Sequence, residues 1–157
     1  ILKGLNTYSD SNWSEKDLIE LYNNDLANGY GNLLSRVLHL IDKYQIECIE
    51  SSTEFKYALN KQIKEIDELW NNFEISQALV KTFDIVNFGN KYIDIHKPWL
   101  KESVESGNHV EVISNLYFLL KVVITYYGPV LSKSKQFEII EAIKNKKKHI
   151  AFQKIEL

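Results

Sequence analysis

Asn32 and Arg36 stand four residues apart, and on an α-helix that spacing puts both side chains on one face, about 6 Å apart. Asn brings a donor and an acceptor, and Arg brings a rigid planar fork of donors. Together they suit the edge of an unstacked nucleobase, the surface that sequence-specific RNA recognition reads. The same two residue types also sit on ordinary solvated helix faces, so spacing alone leaves both readings open. Of the 19 basic residues, 18 are Lys and Arg36 is the one Arg. Such a bias looks like a drift that replaces Arg by Lys wherever either serves. Arg36 is then either a chance survivor or a position where bidentate guanidinium geometry matters. The second feature is Lys97-Pro98-Trp99. Pro98 ends a helix and fixes the backbone, which presents Trp99 at a helix terminus. An indole there either stacks on a base, worth about 1–3 kcal/mol, or plugs the end of the core.

No other constellation supports catalysis. His39, His96, His109 and His149 are scattered, with no second His or Cys at metal-ligand spacing. Cys48 is the lone cysteine, so neither a disulfide framework nor a Cys-based zinc site is expected, and a reducing, cytoplasmic compartment is the simplest reading. There is no Gly-rich phosphate loop. The expectation is a chain with no catalytic residue, no metal site and no cofactor of its own. A net charge of −2 over 157 residues excludes a uniformly basic nucleic-acid coat, so any RNA contact must come from a local patch.

The elements that must position these residues read as helices throughout. Ser14 is the expected N-cap of the first, with Asp17 completing an approximate capping box. From there Leu18, Tyr22, Leu26, Gly29, Leu33, Val37, Ile41 and Tyr44 recur at three- and four-residue steps, which predicts one long amphipathic helix. Gly29 and Gly31 inside it each cost on the order of 1 kcal/mol relative to Ala, a cost that close helix–helix approach would explain. A second helix follows Ser51 and Ser52, with Phe55, Leu59, Ile63, Ile66 and Trp70 inward. A third starts near Glu74, turns Ile75, Leu79, Phe83, Val86 and Ile93 inward, and stops before Pro98. A fourth, about 110–127, is apolar nearly all round and therefore central. Gly128-Pro129 ends it, and a fifth, about 134–146, carries Phe137, Ile140 and Ile143. The apolar stretch 116–131 is broken by Lys121, Gly128 and Pro129 and is shorter than the roughly 20 residues of a membrane span. It is expected to be a buried core helix, with no membrane partner. The fold class is all-α, an antiparallel bundle of about five helices.

The runs YNNDLAN (22–28) and GNLLSR (31–36) resemble the first helix of the methionyl-tRNA synthetase anticodon-binding domain. NKYID (90–94) and Pro98-Trp99 resemble the same family's next motif, in the right order and at a plausible distance, and IAFQKIE (150–156) resembles its closing tail. The tail has Ala151 and Gln153 where the family often has prolines. The resemblance implies a bundle of the class I synthetase anticodon-binding type. It also implies that Asn32, Arg36 and Trp99 contact a CAU anticodon, the indole stacking on its first base and the other two reading base edges. Asn90, Asp94 and Pro98 would shape the site, and Lys91, Lys97 and Lys101 are candidate phosphate contacts. LSKSK (131–135) looks superficially like the lysine-serine loop with which class I synthetases activate amino acids. It lies between two core helices with no partner histidine motif upstream, so a helix start is expected there.

The resulting organisation is a linker over 1–13, a helical bundle over 14–146 and a tail over 147–157 that packs back on the body. The chain begins at Ile1 and has no Met, as expected of a piece of a longer polypeptide. Under the resemblance its partners are the anticodon stem-loop of the methionine tRNA and the catalytic domain of the same ligase. ATP, methionine and Mg would belong to that parent enzyme. The competing readings are the anticodon domain of another class I synthetase, such as the cysteine enzyme, and a helical protein-interaction module.

Overall fold

The segment whose spacing predicts one long helix is a continuous rod wound in two ways. In the computed structural model, which describes residues 15–47, 50–147 and 150–155, it comprises α1 (Glu15–Leu21), a π-helical segment (Tyr22–Gly31) and α2 (Asn32–Lys43). The Ser14 cap expected for it, with Cys48 and His149, lies outside the described residues. The π winding slips the buried face relative to an α-helix, because its hydrogen bonds close over five residues rather than four. Asp25, Ala27, Gly29, Tyr30 and Gly31 are all buried there. Tyr30, absent from the expected inner stripe, is fully buried, donates its hydroxyl to the Leu120 carbonyl at 3.2 Å and meets Tyr127 edge-on at 6.0 Å. Burial raises the pKa of both phenols above the ordinary tyrosine value.

The remaining elements are α3 (Thr53–Asn71), α4 (Ile75–His96), a short α5 (Lys101–Glu105), α6 (Asn108–Tyr127), a 3₁₀ turn (Gly128–Val130) and α7 (Lys133–Asn145). Ser52 caps α3 by accepting the Phe55 N–H, and Ser132 caps α7 by accepting the Lys135 N–H. The LSKSK run is therefore a helix start. All regular structure among the described residues is helical, and the side-chain pairings fix the directions. The rod runs with α4, since Gly29 faces Phe83, Leu33 faces Gly89 and Arg36 reaches Asp94. It runs against α6, since Tyr30 meets Leu120 while Tyr44 meets His109. α4 also opposes α6, with Gly89 beside Leu119 and Tyr92 bonded to Asn115. α3 folds back on α4 through residues 72–74, and α7 returns along α6, where Tyr117 donates to the Ile143 carbonyl. The rod, α3, α4, α6 and α7 thus alternate in direction, the antiparallel arrangement that short connections favour.

α6 is the axis of the bundle. Eleven of its residues, from Val112 to Tyr127, are buried. It starts earlier than the apolar stretch suggests, and Asn108–Val130 is long and apolar enough to cross a membrane by length and composition, with mean hydropathy 1.3. Its apolar surface is instead spent on the rod, α4 and α7. Asn115, almost fully buried, bonds at both ends of its amide: Oδ1 accepts from the Ser52 N–H and the Ser51 hydroxyl, each at 2.8 Å, and Nδ2 donates to Tyr92 at 3.1 Å. Phe137 corrects the expected inner face of α7. It is 67% exposed, and the helix buries Ile139 and Ile143 instead.

Gly29 and Gly31 do mark close approach. A Cβ at Gly29 would lie 2.7 Å from Phe83 of α4, and one at Gly31 would lie 2.8 Å from the Leu26 carbonyl and 3.2 Å from Phe152 of the tail. Gly31→Ala should therefore overpack this junction and destabilise the chain by about 1–3 kcal/mol, seen as a lower midpoint in urea. An unchanged midpoint would show that the π segment and tail yield freely.

Candidate nucleic-acid interface

Because α2 and α4 run in the same direction, the turn of α2 that carries Arg36 comes level with the end of α4. Arg36 Nη2 donates to Asp94 Oδ1 at 2.6 Å, and the guanidinium carbon sits 5.6 Å from the centre of the Trp99 ring. Of the residues singled out by sequence, Arg36, Asp94 and Trp99 are thus in direct contact. Asn32 is exposed on the same helix, one turn before Arg36. Trp99 is 39% exposed, an indole with one part packed and one part open to solvent.

Local chemistry explains how Trp99 is presented. α4 stops at His96, and Lys97 takes a left-handed conformation with φ 40° while its N–H bonds back to the Ile93 carbonyl. Pro98 follows and is buried, and the Leu100 N–H closes the turn on the Lys97 carbonyl at 2.9 Å. Leu100 then leads straight into α5, a five-residue helix with no sequence period long enough to announce it. Lys91 and Lys97 are exposed near this turn, and Lys101 is exposed with its ammonium 3.5 Å from Glu105.

The Arg36–Asp94 pair is partly solvated, with side-chain exposures of 29% and 63%. Pairs of that kind contribute about 0–1 kcal/mol to stability. What it does is orient: the guanidinium has five N–H donors, and the carboxylate fixes the plane in which the others point. Asn90 lies one turn before Asp94 on α4 and has a different task. Its Nδ2 donates to the Gly29 carbonyl at 3.4 Å and to the Val86 carbonyl at 3.2 Å. It therefore clamps the end of the π segment to α4 and stands behind the site rather than in it. Of the described histidines, His39 is exposed, His96 packs its ring against Tyr92 and His109 meets Tyr44 edge-on.

Residues 52–133, just over half of the chain, match the family model described as the anticodon-binding domain of tRNA ligase. The chain belongs to this family. The match takes in Asn90, Asp94 and Trp99, while Asn32 and Arg36 precede it. Curated relatives extend the similarity toward the N-terminus. The methionine–tRNA ligase of Ureaplasma parvum serovar 3 is 34% identical over an alignment of 142 positions that covers 83% of this chain and 27% of the relative. Methionine–tRNA ligase 1 of Bacillus anthracis is 37% identical over an alignment of 123 positions that covers 72% of this chain and 19% of the relative. The anticodon-binding domain thus spans about a quarter or less of the length of these relatives. In fold it is similar to the apo form of Mycobacterium tuberculosis methionyl-tRNA synthetase, with a TM-score of 0.72 at 17% identity over 85% of this chain and 29% of that one.

The clamp makes a sharp prediction. Asn90→Asp would place a carboxylate against two carbonyl oxygens in a half-buried site, and should destabilise the domain by about 1–3 kcal/mol at neutral pH, measured by thermal melting. An unaltered melting temperature would mean that Asn90 does not hold the rod to α4.

Proposed function

We propose that this domain reads the CAU anticodon of the methionine tRNA as the recognition arm of a methionine–tRNA ligase. The observation that carries the reading is the contact of Arg36 with Trp99 at the α2–α4 rim, with the indole part exposed beside a guanidinium. A buried Trp99 would have favoured a core plug, and an exposed apolar patch without Arg36 a protein-docking face.

In this mechanism the anticodon bases leave their stack, and the first of them lies on the open face of Trp99. Arg36, held in plane by Asp94, donates to an acceptor edge, and Asn32 supplies a donor and an acceptor one turn away. Asp94 also acts by repulsion, because a carboxylate beside the base edge disfavours acceptor groups and phosphate oxygens placed there. Pro98 fixes the turn, while Lys91, Lys97 and Lys101 supply cationic reach to the backbone of the loop. The two curated relatives described above are methionine–tRNA ligases, which supports methionine over cysteine as the amino acid. The joining of methionine to tRNA with ATP, the catalytic domain as a partner and a cytoplasmic setting all follow from that assignment to the parent enzyme.

Stem-loop RNAs that differ only in the first anticodon base test the proposal at matched salt, since phosphate contacts alone would make affinities salt-dependent but blind to sequence. The CAU loop should bind more tightly, and Trp99→Ala should weaken it by about 1–3 kcal/mol. Equal affinity for both loops would overturn the anticodon assignment.

A further inference from the structure

The rod has two flanks at this level, and only one meets α4. On the other, residues 150–155 lie back along the π segment and the start of α2. The Asn23 side chain pins this tail twice, donating Nδ2 to the Ile155 carbonyl at 2.8 Å and accepting the Ile155 N–H at 2.9 Å. Phe152 settles over Gly31 and meets Tyr22 edge-on at 6.1 Å. Between the tail and the rod runs a groove of about 450 Å³, lined by Asn28, Gly31, Asn32, Ser35, Phe152 and Lys154, among others.

The lining has a definite chemistry. Asn28, Asn32 and Ser35 offer amide and hydroxyl groups along one wall, the Phe152 ring gives an apolar surface, and the exposed Lys154 adds a cation to the lining. Among the described residues no carboxylate lines it, which disfavours a cationic ligand, and three polar side chains on one wall disfavour a purely apolar one. A flat base with hydrogen-bonding edges, attached to a phosphate, satisfies every element of the set. The volume lies within the range of about 300–1,000 Å³ typical of ligand sites. Asn32 belongs to this wall and is also the neighbour of Arg36 along α2, so the groove and the Trp99 platform are two sides of one ridge.

We propose that this groove is a second nucleotide subsite, which takes a different nucleotide of the same single-stranded loop whose first anticodon base lies on Trp99. The inference rests on the anticodon reading above and extends it: the tail is part of the RNA surface, and the rod separates two splayed nucleotides.

The test uses the 157-residue chain and a set of anticodon stem-loops, each with one loop nucleotide made abasic. Asn28→Ala and Ser35→Ala should each weaken binding of the intact loop by about three- to tenfold. Lys154→Gln should lower the slope of log affinity against log salt by about 0.7, the share of one phosphate contact on a single strand. Asn28 and Lys154 are exposed, so both variants keep the fold, which thermal melting verifies. One abasic position should abolish the effect of Asn28→Ala, and a different one should abolish the effect of Trp99→Ala. If Trp99→Ala weakens binding while the groove variants bind like the unaltered chain, the subsite is overturned and the anticodon reading stands. If both effects vanish at the same nucleotide, there is one subsite and the proposal fails. Loss of all base discrimination together with a neutral Trp99→Ala would overturn both readings.

Discussion

The contact on which the site depends is the close passage of the π segment against α4. There Gly29 leaves room for Phe83, and the Asn90 amide bonds the Gly29 carbonyl. This crossing sets the rotation and the axial position of the rod relative to α4. Arg36 follows from it, because two turns further on the two helices must still be level for the guanidinium to meet Asp94 and Trp99. A slip of one residue would turn Arg36 by about 100° about the helix axis and dismantle the cluster without disturbing any residue in it. The π winding belongs to the same constraint. It buries Gly29, Tyr30 and Gly31 in succession, so that α4, α6 and the tail can each occupy a side of the rod.

In the proposed mechanism, stability and recognition are carried by different residues. Tyr30, Asn115 and the apolar surface of α6 hold the bundle, with their polar groups buried and bonded. Arg36, Asn32 and Trp99 stay partly or wholly open, and the ion pair of Arg36 with Asp94 adds little to folding. A surface built this way tolerates changes in the groups that touch a ligand, since the scaffold does not rely on them. It does not tolerate changes at Asn90, which touches no ligand in the proposed mechanism yet sets where Arg36 stands.

Helical periodicity made the bundle legible: the five long segments, their order and the central place of α6 all follow from where apolar residues recur. Its failures have separate causes. Tyr30 lies four residues after Leu26 and three before Leu33, so an α period admits it as readily as Gly29, and the π winding buries both. Phe137 stays outside because α7 buries the line through Ile139 and Ile143. The five residues of α5 are too few to show a period. At the site, the pairing of Asn32 with Arg36 is local and could be read from spacing. The partnership of Arg36 with Asp94 spans 58 positions, and only the resemblance to a family placed Asp94 and Trp99 near it. The groove by the tail left no trace in spacing, because its walls come from opposite ends of the chain.

Lys97 shows what such an arrangement implies for binding energetics. A lysine at φ 40° occupies a backbone region that costs of order 1–3 kcal/mol for a residue with a side chain. The buried ring of Pro98 and the hydrogen bonds at either end of the turn hold it there. The conformational entropy of presenting the indole has therefore already been lost when the chain folds. A ligand that meets Trp99 finds a platform in place and does not have to order one, so more of the stacking energy remains as affinity. Strain in the turn and readiness at the surface are two descriptions of one preorganised element.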